Sequence, residues 1–118
     1  VIYQGNLYWV MLDPSDKVAH PYLVLQEDVF NHSRITTVVV CPLTTNLGRV
    51  TLPGNVLLDA EEGGLPRQSV VEVMKLVSVP KIQLGDYIGR LSPDRVAQVL
   101  AGLRFAQRFV PMDGEGYT

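Results

Sequence analysis

Leu7-Tyr8-Trp9-Val10-Met11-Leu12, closed by Asp13-Pro14-Ser15-Asp16, is the stretch that decides the fold class. Successive strand residues point to opposite faces, so a run that is apolar at every position predicts a strand covered on both sides. Asp-Pro-Ser-Asp is turn chemistry and ends it. Working outward, Tyr22 to Gln26 reads as a second short strand and Ile35 to Cys41 as a third, rich in the β-branched residues that suit a pleated surface. Asn31-His32-Ser33 between them reads as loop. Val50 to Leu58 reads as extended on both sides of Pro53-Gly54-Asn55, where a missing N–H donor and glycine's freedom predict a bulge or corner. After the acidic turn Glu61-Glu62-Gly63-Gly64, Ser69 to Val79 supplies more strand and Tyr87 to Leu91 a last short one. Several short strands with frequent turns predict a mainly β small barrel or sandwich.

The last element has a different period. Ser92-Pro93-Asp94 places an N-cap residue, a proline at the first helical position and an acid in the first turn, which predicts a C-terminal helix to about Arg108. On it Val96, Val99, Leu100, Leu103 and Ala106 form one apolar stripe able to seal the barrel. Phe105 and Phe109 lie to the side of that stripe, where a subunit contact and a wider core are equally good readings. The sequence contains no internal repeat or linker, so residues 1–110 are expected to form a single domain, followed by a flexible tail over 111–118.

With 118 residues, 47% of them hydrophobic, the chain can enclose one core, since a domain of this size buries roughly two-thirds of its unfolded surface. Ten Lys and Arg against twelve Asp and Glu leave a net charge of -2, so the chain is not a basic nucleic-acid coat. Any RNA contact must use a local cluster and be sensitive to salt. Cys41 is the only cysteine, which excludes an intrachain disulfide and fits a reducing cytosol. Two histidines and one cysteine lying apart make no zinc spacing, and no metal or other cofactor is expected. The apolar run Val38 to Leu43 is far below the ~18 residues that suggest a membrane span. Nothing at the start reads as a signal peptide. A cytoplasmic protein with no membrane partner is the expectation.

Read in order, Gly5-Asn6-Leu7-Tyr8, Leu12-Asp13-Pro14, His20-Pro21-Tyr22-Leu23-Val24-Leu25, Pro42-Leu43-Thr44-Thr45 and Leu65-Pro66-Arg67-Gln68-Ser69-Val70-Val71 resemble the MazF/PemK family of toxin ribonucleases. Val79-Pro80-Lys81 and Gly89-Arg90-Leu91-Ser92 continue the resemblance into the lead of the C-terminal helix. The resemblance implies an SH3-like barrel with short helices and one C-terminal helix, working as a homodimer and paired with an antitoxin that covers the RNA site. It also implies metal-independent, sequence-specific cleavage of single-stranded RNA, in which the 2′-hydroxyl of the RNA attacks the adjacent phosphate. The protein then moves protons and stabilises a pentacovalent phosphorane.

One departure from the family pattern stands out. The motif aligned with His20-Pro21 normally carries Arg-Pro, and the threonine aligned with Thr44 works with that arginine on the scissile phosphate. A guanidinium is always charged and offers phosphate a planar fork, whereas an imidazole changes charge near neutral pH and cannot reproduce two parallel contacts. Losing one transition-state donor costs ~10²–10³ in rate, while a placed general acid or base contributes ~10²–10⁴. Magnitudes alone therefore leave open whether His20 disables the site, contacts RNA without catalysis, runs the chemistry as an acid or base, or simply caps the turn before a strand. His32 has no such context and reads as ordinary surface.

Thr44 and Thr45 end a strand, where hydroxyls and backbone amides can hold a phosphate oxygen. Lys75 stands where the resemblance places a neutral glutamine, which moves a positive charge toward the site that lost one at His20; an exposed strand lysine is the alternative. Arg34, Arg49 and Arg67 sit in loops able to rim a groove, with Tyr22 or Phe30 as base-stacking partners. His20 and Thr44 are thus the candidate catalytic residues, and Lys75, Thr45, Arg49 and Arg34 the candidate substrate-binding ones. A glutamate common in the family shortly before Arg-Pro is absent, and the Ser15 to Ala19 stretch is shorter, so the lid-like first loop is expected to be reduced. Two further functions stay open: a barrel that has lost catalysis and binds a protein, as the related CcdB-type toxins do, and an RNA-binding regulator without turnover.

Overall fold

A computed structural model describes residues 1–108. The expected tail and Phe109 lie outside the described residues. The chain runs β1 (Asn6–Val10), β2 (His20–Val24), α1 (Asp28–Asn31), β3 (Thr37–Thr44), β4 (Val56–Leu58), β5 (Ser69–Val71), β6 (Val77–Pro80), β7 (Leu84–Arg90) and α2 (Pro93–Gln107). Short 3-10 turns occupy Leu47–Thr51, Glu62–Gly64, Val73–Lys75 and Lys81–Gln83. All strand pairings among the described residues are antiparallel, in the order β4-β5-β3-β2-β1-β7, with β6 joining β3. No described helix is long and apolar enough to cross a membrane.

The first strand is buried on both faces, as its composition predicts. Leu7 joins a cluster with Leu23, Cys41 and Leu58 beneath Val96, Val99 and Ala106 of α2. Tyr8 and Val10, on the alternate face, join Tyr22, Val24, Val38, Val40 and Val79 in a second cluster. Val79 of β6 and Leu84 of β7 pack into that second cluster although their strands flank the run β6-β3-β2-β1-β7 at its two ends. The run therefore curls round it as a small open barrel. The structure is mainly β with one long C-terminal helix, as expected.

Several boundaries differ from expectation for local reasons. β1 stops at Val10, and Met11 and Leu12 are exposed, because the Asp13 carboxylate accepts the Ser15 N–H at 2.9 Å and draws the chain into its turn. Asn31, expected to belong to loop, instead closes a single helical turn over Asp28–Asn31 that is capped by the Glu27 carboxylate on the Val29 N–H. Val50 and Thr51 are in a 3-10 turn, so only Val56–Leu58 is strand in that region. The expected strand from Ser69 to Val79 is broken by the turn Val73–Lys75. β7 begins at Leu84, three residues before the expected start.

β3 runs three residues beyond Cys41, through a proline. Along Thr37–Val40 it pairs with β6, and at Leu43 and Thr44 with β5. Pro42 sits in the gap between those partners. Its missing donor faces no paired strand there, and its carbonyl accepts the Glu72 N–H at 3.0 Å. The chain between β5 and β6 must therefore loop out of the sheet beside Pro42.

α2 begins where the sequence places it, with the Ser92 hydroxyl accepting the Arg95 N–H at 3.2 Å. Val96, Val99 and Ala106 are buried and Leu100 and Leu103 pack against the core, so the predicted stripe is the buried face. The helix lies so close to the 53–55 corner that a Cβ on Gly102 would collide with the Gly54 carbonyl, and Gly54 has φ +85°.

Candidate functional site

The partner change along β3 opens a pocket of about 580 Å³ at the end of the barrel. Its walls are Leu12 after β1, His20 and Tyr22 of β2, Pro42, Leu43 and Thr44 of β3, and Glu72, Lys75, Leu76 and Val77 from the looped-out β5–β6 connection. His20, Thr44 and Lys75, three residues singled out from sequence, thus line one cavity although 24 and 31 positions separate them.

Each is placed by a different element. His20 is the first residue of β2, its backbone opposite Val10 and its side chain exposed at the mouth. Thr44 is the last residue of β3, and its hydroxyl oxygen accepts the Asn46 N–H at 3.1 Å. A hydroxyl that accepts this way retains its own proton to donate. Lys75 closes the 3-10 turn, its N–H on the Glu72 carbonyl at 3.1 Å and its side chain more than half exposed.

Glu72 is the residue that sequence reading missed. It is 6% exposed, and its Oε1 receives the Arg49 Nε–H at 2.8 Å and lies 3.6 Å from Lys75 Nζ. One buried carboxylate therefore holds two cations, leaving a surplus positive charge beside the pocket. A signal was present: Glu72 is the only charged residue from Ser69 to Met74, and a charge inside an apolar run needs partners when buried.

Tyr22 is 8% exposed, and burial pushes its phenol up from the usual range, with Asp16, Cys41 and Glu72 adding to the effect. It lines the wall as a neutral hydroxyl. Burial, with a further contribution from the Glu72 charge, pushes the Cys41 thiol up to about 12, and its S–H donates to the Glu72 carbonyl at 2.9 Å. Cys41 is accordingly a packed thiol and not a nucleophile.

The other candidates fall outside the lining. Thr45 is exposed beside Thr44. Arg49 turns its guanidinium onto Glu72, reaching the pocket only through that carboxylate. Arg34 is exposed ahead of Thr37, at the opposite end of β3 from Thr44, and seven residue steps at ~3.3 Å separate those ends by roughly 23 Å. Phe30 on α1 is near that same far end in sequence, and Arg67 is exposed before β5. His32 is more than plain surface: its Nε2 lies 2.8 Å from the Ile2 carbonyl oxygen and its ring meets Tyr3 edge-on at 4.8 Å. It fastens the N-terminal segment. Among the described residues no three His, Cys, Asp or Glu side chains gather as a metal site.

Comparison with known proteins adds identity to this geometry. Residues 3–106 match the family model described as the PemK-like, MazF-like toxin of type II toxin-antitoxin systems. The chain is 37% identical over 108 residues to Endoribonuclease MazF6 of Mycobacterium tuberculosis strain H37Rv, covering 88% of this chain and 95% of that one. The solved structure of Mycobacterium tuberculosis toxin MazF-mt6 superposes with a TM-score of 0.74 at 27% identity, over 87% of this chain and 96% of that one. A mycobacterial endoribonuclease solved in complex with its cognate antitoxin superposes with a TM-score of 0.76 at 24% identity, over 95% and 99% of the two chains. A match across nearly all the described residues, on a shared fold, means that this chain belongs to the PemK-like, MazF-like toxin family of type II toxin-antitoxin systems.

Proposed function

We propose that the chain is a sequence-specific endoribonuclease that cleaves single-stranded RNA through 2′-hydroxyl attack, as the toxin of a toxin-antitoxin pair. The observation that carries this reading is the convergence of His20, Thr44 and Lys75 on one cavity. The names of its relatives support the substrate class.

In the reaction the 2′-oxygen bonds to phosphorus as the bond to the 5′-oxygen breaks, leaving a 2′,3′-cyclic phosphate and a 5′-hydroxyl. The His20 imidazole moves the proton, the Thr44 hydroxyl donates to a non-bridging oxygen, and Lys75 offsets the charge gathering on the phosphorane. No metal is assigned a step. Thr45 and Arg49, next to Thr44 and Glu72, extend the phosphate track. Arg34 is too far along β3 to share the scissile phosphate and would meet a distant nucleotide.

Residues 1–110 act as one catalytic domain in the cytoplasm, in this reading, with an antitoxin as inhibitor and a second copy of the chain as partner. Exposed Met74 and Leu76, on either side of Lys75, supply an apolar surface beside the pocket for that second copy.

Purified protein incubated with long single-stranded RNA in EDTA, from pH 5.5 to 8.5, is expected to produce discrete fragments ending in cyclic phosphate. His20→Ala should slow cleavage about 10²-fold or more. Absence of cleavage across that range, with His20→Ala indistinguishable, overturns the reading. The missing arginine and the buried carboxylate in the pocket favour a second one, a barrel that binds a protein without turning over RNA. Such a chain would form a stable complex with its partner and leave RNA intact.

A further inference from the structure

We propose that Glu72 is a positioning residue, which holds the Lys75 ammonium at the scissile phosphate and keeps the Arg49 guanidinium behind it on the same carboxylate oxygen; this deepens the proposed ribonuclease reading and rests on it. Three observations converge. Glu72 is nearly inaccessible yet lines the pocket, and both cations approach the same oxygen, Oε1. Its backbone is held at both ends, by its N–H on the Pro42 carbonyl and by its own carbonyl, which accepts from the Cys41 thiol and the Lys75 N–H. Asn55 then joins the two cation-bearing segments, its amide donating to the Arg49 carbonyl and its oxygen accepting the Val73 N–H.

This framework has a chemical consequence. A flexible lysine beside a phosphate supplies charge but loses rotamer freedom each time it engages. Anchored on Glu72, Lys75 is pre-oriented where charge develops, which is the condition under which a donor contributes most to rate. The same carboxylate repels the RNA backbone. Glu72 thus weakens ground-state binding while aiding the transition state, and its removal should move KM and kcat in a way that a purely structural residue would not.

Steady-state cleavage of a single-site oligoribonucleotide, measured for wild type, Glu72→Gln, Lys75→Ala and the double variant, tests this. Glu72→Gln is expected to lower kcat by about 10²-fold, the scale of a misplaced catalytic group, with KM unchanged or lower. In that background Lys75→Ala should cost only a few-fold more, although it is severe on its own. If the amide variant folds poorly by circular dichroism, Glu72→Asp is the substitute: it keeps the charge, shortens the reach by one methylene, and should lower kcat with KM unchanged. A Glu72 variant with kcat within about twofold of wild type, while Lys75→Ala is impaired, overturns the positioning role alone. So does a full, independent effect of Lys75→Ala in the Glu72→Gln background. Lys75→Ala and His20→Ala both cleaving like wild type instead removes the ribonuclease reading of the pocket, and the positioning role with it.

Discussion

His20 and Cys41 show how differently two single residues of this sequence behave once placed. His20 takes the position where the family resemblance carries arginine, and it stands at the mouth of the pocket with its side chain exposed. A group so placed can exchange protons with both substrate and solvent. His20→Arg should therefore restore phosphate grip, seen as a lower KM, while removing a proton carrier, seen as a lower kcat. A kcat that is unchanged in the variant would assign proton transfer elsewhere. Cys41 is at the opposite extreme, fully buried with its thiol pushed up to about 12. The folded chain retains this proton between the ordinary thiol value of 9.0 and about 12, where the unfolded chain releases it. Stability contributed by Cys41 is thus complete below pH 9 and is lost as pH rises through that window. Urea midpoints compared at pH 7.5 and 10 should show a drop that Cys41→Ala reduces, and iodoacetamide should label Cys41 only in urea.

Among the elements, α2 is fastened to the turn Glu62–Gly64 by a well-formed clamp. Arg95 meets Glu62 with two contacts, Nε to Oε2 at 2.6 Å and Nη2 to Oε1 at 2.8 Å, and the Arg95 side chain lies 3.8 Å from Asp59. The Arg95 hydrogen bond holds the Glu62 carboxyl below its ordinary value against the opposing effect of burial. Because Glu62 is depressed in the folded state, the clamp acts fully above the ordinary carboxyl range and is lost as pH falls through it. Glu62→Gln is expected to cost about 1.5–3 kcal/mol at pH 7, the range for hydrogen bonds to charged groups, and much less at pH 3. Denaturant titrations at the two pH values check this. Gly102→Ala should cost about as much or more at either pH, since its new methyl group meets the Gly54 carbonyl and neither backbone can yield without moving helix or corner. Ser92→Ala, which removes the helix cap, should cost about 1 kcal/mol.

At the scale of the whole molecule the pocket and the exposed apolar residues are continuous, because Met74 and Leu76 flank Lys75 on the same 3-10 turn and its exit. A second copy seated there would rim the pocket. Sedimentation is expected to show a dimer at micromolar concentration and Met74→Glu a monomer, with RNA cleavage falling in parallel if the partner completes the substrate track. The mainly β class, the two-faced first strand, the helix with its serine cap and apolar stripe, and, through the family resemblance, the choice of His20 and Thr44 as site candidates were all legible from the residue order alone. Those features are local: alternation, turn chemistry and capping are properties of adjacent residues. Only the tertiary structure decided that β3 exchanges β6 for β5 at Pro42, that the Ser69–Val79 run breaks there, and that Glu72 enters the pocket holding Arg49 and Lys75. Which edge of a strand is paired, and where that pairing changes, depends on chain segments tens of residues apart, so local periodicity carries no record of it.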